Sequence, residues 1–123
     1  MKYLILIYGN PESRKIWEGL SAAQRAEGLD VYRALNEDLA ASGEMIVSEA
    51  LADPSLTKRV WVQEGRTMTS DGPFAEVKEL LAGFYLVECE SVERAVELGA
   101  RIPEAAFGLV EVRPVMGLSG FEV

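Results

Sequence analysis

Tyr3-Leu4-Ile5-Leu6-Ile7-Tyr8 is apolar at every position. A run that short predicts a strand, and the lack of polar alternation predicts one covered on both faces. Asn10-Pro11 supplies an N-cap and a first helical residue for a short turn or helix through Arg14, Ile16 and Trp17, ending near Gly19. Ser21 with Gln24 three positions on forms a capping box for the first long helix. Along it, Ala22, Ala26, Leu29, Tyr32, Leu35 and Leu39 recur at three- and four-residue spacing and make one stripe. Gly28 interrupts that helix at a cost of about 1 kcal/mol relative to Ala. Gly43 is placed to end it in a left-handed conformation.

The second half alternates differently. Residues 44–49 read as a strand, and Asp53-Pro54 as a loop. Residues 57–63 and 66–69 read as two strands joined at Glu64-Gly65. Asp71-Gly72-Pro73-Phe74 breaks the pattern. Residues 84–89 form another strand, apolar on both faces for most of its length. Ser91 caps a second helix with Val92, Ala95, Val96 and Ile102 as its expected inner face, and it must stop before Pro103. Residues 109–113 are the last strand, and the tail from Gly117 is expected to be short and mobile.

With the central hairpin set aside, the order is βαββαβ, the ferredoxin-like split arrangement, expected as a single domain over residues 1–123. Both helices then cover one face of an antiparallel sheet. The other face should be polar if it meets water, yet the first strand and residues 84–87 offer no polar alternation. An uncovered face of that kind is a costly apolar patch. The expectation is a homodimer in which a second copy covers it through a twofold axis.

Composition then narrows the chemistry. A chain of 123 residues buries roughly two-thirds of its unfolded surface and needs no staples. Cys89 is the single cysteine, so no internal disulfide forms. The apolar N-terminal run is too short for a signal peptide or a membrane span, and the expected location is cytoplasmic. Twenty acids against twelve bases give a net charge of −8, which disfavours direct contact with nucleic acid and suits a basic protein partner. The absence of histidine removes Ser-His-Asp and Cys-His catalysis and histidine-ligated zinc. No metal or cofactor is expected.

The string Asp71-Gly72-Pro73-Phe74-Ala75-Glu76-Val77-Lys78-Glu79 stands out. Asp71 can cap the turn at Gly72-Pro73, and Phe74 can anchor the loop in the core. The string resembles the signature of the YCII-related proteins, in particular the DGPF branch. Residues 2–9, Gly83-Phe84-Tyr85-Leu86-Val87 and Val110-Glu111-Val112-Arg113-Pro114 resemble that family too. The resemblance implies a dimeric α+β barrel. It also implies an association with sigma-factor-like proteins. Some relatives carry a histidine–aspartate pair suspected of catalysis, which a chain without histidine cannot reproduce.

Three functional readings follow. The first is a module binding a small molecule or partner, with Asp71, Gly72, Pro73 and Phe74 at the ligand site. The second is a cofactor-free lyase or isomerase, with Asp71 or Glu76 as general base and Lys78 as electrostatic partner. The third is an accessory protein of a sigma-factor-like regulator. Arg59 and Arg66 read as a solvated strand edge rather than a carboxylate site. Trp61, Tyr8, Tyr85 and Tyr32 read as core or dimer face rather than cavity lining. Cys89 reads as a buried structural thiol, and Glu37, Asp38 and Glu44 as a solvated helix face.

Overall fold

The computed structural model describes residues 1–117, so the tail expected to be mobile lies, past Gly117, outside the described residues. The apolar runs become a four-stranded antiparallel sheet. Its strands are β1 (Lys2–Gly9), β2 (Met45–Ala50), β5 (Leu80–Glu88) and β6 (Val110–Pro114), in the order β2-β5-β1-β6. That order is the ferredoxin-like one, and the fold is α+β as the element order predicted. Between β2 and β5 a separate two-stranded hairpin, β3 (Lys58–Gln63) with β4 (Arg66–Asp71), projects with exposed side chains almost throughout.

Helices α2 (Ala22–Ser42) and α3 (Val92–Ala100) lie on one face of the main sheet. Tyr3, Ile5 and Ile7 of β1 and Tyr85 and Val87 of β5 meet Leu35 and Leu39 of α2 and Ala95, Leu98 and Ile102 around α3. Alternation places the other β1 side chains on the opposite face. There Leu4 faces Leu86 and Leu6 faces Phe84 across β1 and β5. Val47 and Glu49 flank this strip on β2, and Arg113 and Glu111 flank it on β6. Leu4, Leu6, Phe84 and Leu86 are only half-buried.

Three local expectations are corrected. The inner face of α3 is Ala95, Leu98 and Gly99, with Ile102 buried just past its end, while Val92 and Val96 are exposed. The cause is close packing: a Cβ on Gly99 would already sit 3.4 Å from Val110 and 3.5 Å from Val112. The helix therefore sets Ala95 and Gly99 against the sheet, with Leu98 buried beside them. Phe74 does not enter the core. It is 59% exposed and sits under the Arg59 guanidinium, 4.6 Å from the ring centre. Glu44 is no solvated helix residue. Arg94 grips it with two hydrogen bonds of 2.9 and 3.0 Å, tying the start of β2 to α3. That guanidinium holds the Glu44 carboxyl below its ordinary range.

Candidate functional site

The site is built where β1 runs out. Asn10 accepts the Ser13 N–H at 2.8 Å and donates its own N–H to Ser13 Oγ at 3.0 Å, a reciprocal cap that starts α1 (Pro11–Gly19). The Ser21–Gln24 box starts α2 almost at once, with bonds of 2.8 and 3.1 Å. Arg25 then ties the two helices together. It donates to the Trp17 and Glu18 carbonyls, each at 3.2 Å, and lies 5.3 Å over the Trp17 ring.

The first half of α2 thus faces α1 instead of the sheet. Ala22, Ala26 and Leu29 of the predicted stripe stay exposed, and the core begins at Tyr32. Between α1, α2, the end of β1 and the 3-10 segment Pro103–Phe107 opens a cleft of about 410 Å³. Tyr8, Trp17, Leu29, Tyr32, Glu104 and Phe107 line it, with Gly28 beside Trp17. A Cβ on Gly28 would lie 3.9 Å from the Trp17 ring, so the glycine in mid-helix leaves room in the cleft.

The Tyr32 hydroxyl donates to Glu104 Oε2 in this cleft. Burial pushes the Glu104 carboxyl above its ordinary range, and the bond from Tyr32 only partly opposes that. Burial also pushes the Tyr32 phenol up, reinforced by Glu104. Behind them the Tyr85 hydroxyl donates to Asn36 Oδ1 at 2.5 Å, its acidity lowered by burial and by Glu104. Tyr8 borders the cleft at the end of β1, but its phenol stands with Glu111 and Arg113 on the opposite face of the sheet, pushed up by burial and by Glu111, with Arg113 opposing. The result is an aromatic-walled cleft with a half-buried carboxyl hydrogen-bonded to a phenol.

A second cavity of about 380 Å³ adjoins it, lined by Arg14, Asp53, Lys78, Leu51, Val77 and Leu81 among others. Arg14 donates to Asp53 at 2.7 Å, and both residues also line the first cleft.

The residues singled out in sequence are scattered around these cavities. Asp71 ends β4, exposed, and accepts from Lys58 on the neighbouring strand. Gly72 takes a φ of +87° and donates to the Thr57 carbonyl at 2.7 Å. Pro73 and Phe74 border a shallow depression at the base of the hairpin. Glu76 is exposed and lines neither cavity, whereas Lys78 lines the second. Cys89 is buried as expected. The sequence did not single out Glu104 or Arg14 as cavity residues, and in it Tyr8 and Tyr32 read as core or dimer face in preference to cavity lining. The available signal was the failure of the α2 stripe to stop at the sheet, together with a glycine inside it.

No helix among the described residues is long and apolar enough to cross a membrane. No group of metal-ligating side chains occurs among them either.

The fold and its cleft define a small α+β domain, and the model of the YCII-related domain matches residues 1–119. The chain belongs to that family. It is 28% identical over 117 residues to the uncharacterised protein R00369 of Rhizobium meliloti (strain 1021), covering 94% of this chain and 92% of that one. Among solved structures it is similar to 5-chloro-2-hydroxyhydroquinone dehydrochlorinase (TftG) of Burkholderia phenoliruptrix AC1100, in complex with 2,5-dihydroxybenzoquinone. The TM-score is 0.54 with 17% identity, covering 97% of each chain, a likeness of fold.

Proposed function

We propose that this protein binds a small, flat, hydroxylated ring in the cleft between α1 and α2, with Glu104 and Tyr32 holding a proton of the ligand. The observation that carries the reading is the Tyr32–Glu104 hydrogen bond set among Trp17, Leu29 and Phe107. A few convergent polar groups in an apolar cavity are what a ligand pocket requires. A raised carboxyl in such a place suits exchange with a phenolic hydroxyl. The dihydroxybenzoquinone held by a protein of similar fold supports a ligand of that shape.

The same pair would serve a cofactor-free isomerase or lyase, taking the base role assigned in sequence to Asp71 or Glu76. Lys78 remains an electrostatic partner at the adjoining cavity. A sigma-factor-like partner gains no support from this cleft. The half-buried strip of Leu4, Leu6, Phe84 and Leu86 favours a homodimer as the working form.

Trp17 makes binding measurable. With Trp61→Phe as background, Trp17 is the remaining indole. Adding hydroquinone should quench or shift its emission saturably, and raise the melting temperature in step. Glu104→Ala should weaken the effect at least tenfold. No saturable change up to millimolar hydroquinone would remove the proposal.

A further inference from the structure

Resting on the cleft reading, we propose that the ligand is an aromatic carboxylate, its ring in the cleft and its carboxylate in the adjoining cavity at Arg14 and Lys78. The two cavities share Gly9, Arg14, Asp53 and Ala82 as lining, so the Arg14–Asp53 pair is their common wall. A molecule longer than one ring meets that wall and whatever lies past it.

Charge decides which end is which. The cleft carries Glu18 and Glu104 beside Arg14 and Asp53, and an anion placed among them meets more acid than base. The second cavity carries Arg14 and Lys78 against Asp53, a local balance of one positive charge. Lys78 forms no ion pair among the described residues. Asp53 is already engaged, accepting the Ser55 N–H at 2.9 Å and Arg14 at 2.7 Å. Arg14 uses one terminal nitrogen on Asp53, and a guanidinium has five N–H donors, so it can still face a carboxylate. The α1 N-terminus is not needed, since Asn10 already caps it.

This assignment gives Lys78 a task without placing Asp71 in the chemistry. Lys78 sits on an exposed loop, where a change of charge leaves the core untouched.

The test compares two probes that differ by one carboxylate, hydroquinone and 2,5-dihydroxybenzoate, by calorimetry on the full chain. The carboxylate should bind at least tenfold tighter, and the advantage should shrink with added salt. Lys78→Gln should lower that preference at least threefold, and Lys78→Arg should retain it. Hydroquinone bound as tightly as the carboxylate overturns this inference alone and leaves the cleft reading standing. A preference unchanged in Lys78→Gln also overturns it. Failure of both probes to bind overturns the cleft reading and this inference with it.

Discussion

Tyr32 donates its hydroxyl to Glu104 across 72 positions of sequence, joining the middle of α2 to the 3-10 segment after α3. The bond keeps a carboxyl in a partly buried place where its charged form is disfavoured. A raised folded-state pKa has a fixed sign in pH linkage. Its contribution to stability is complete below the unfolded pKa and is lost as pH rises through the folded one. Glu104→Gln keeps an acceptor for Tyr32 and removes the titration. Denaturant melts between about pH 4 and pH 8 should therefore show wild type losing ground to Glu104→Gln as pH rises. Glu44 gives the opposite sign: its lowered pKa contributes above the unfolded value and is lost as pH falls through the folded one. Glu44→Gln should cost about 1 kcal/mol near neutrality, discounted for partial exposure, and little in acid. Parallel profiles for all three proteins would sink both assignments.

Gly28 pits stability against binding. A glycine inside a helix costs about 1 kcal/mol relative to alanine, and the nearest side-chain atom to a Cβ there is 3.9 Å away. Gly28→Ala should raise stability by about 0.5–1 kcal/mol. The new methyl would sit against Trp17 and narrow the cleft, so hydroquinone affinity should fall. A variant that gains stability and binds the probe unchanged would show that Gly28 has no part in the cleft.

The two faces of α3 differ in a way a single pair of variants resolves. Leu98 is 1% exposed in the core and Val96 is 53% exposed. Leu98→Ala should cost about 2–5 kcal/mol, and Val96→Ala should stay within about 0.5 kcal/mol. Comparable losses from both would mean that Val96 is covered in solution.

That pair also marks how far the sequence could be read. The strands, the Asn10 cap, the Ser21–Gln24 capping box and the βαββαβ order were legible, because apolar runs and S-x-x-Q spacing are local signals. The rotation of α3 was not, because it depends on the contact of Gly99 with Val110 and Val112, which only tertiary packing creates. The string at Asp71 drew the eye by its unusual composition. Its distinctive residues serve a turn at the base of an exposed hairpin, and of its charged residues only Lys78 lines either cavity. Glu104 was invisible for the opposite reason. One acid after a proline carries no local signature, and its partner lies on another element.

The strip of Leu4, Leu6, Phe84 and Leu86 leads to the last prediction. These side chains stand opposite one another across β1 and β5, on the face turned away from α2 and α3. An antiparallel sheet tolerates one wet face only when that face is polar. Here charge lies at the margins, with Glu49 on one side, Glu111 and Arg113 on the other, and the Lys2–Glu88 pair at one end of β1 and β5. Apolar centre and charged margin is the layout of an interface core with its rim. A second copy placed by a twofold axis would set strip against strip with no open end to propagate. Wild type should run as a dimer by light scattering at micromolar concentration. Phe84→Glu should be monomeric and keep its helical circular dichroism, because Phe84 lies outside the helix-side core. The decisive comparison is wild type against that variant. A monomeric wild type at about 100 μM, well above the dissociation constant of any stable homodimer, would leave the strip without its proposed cover.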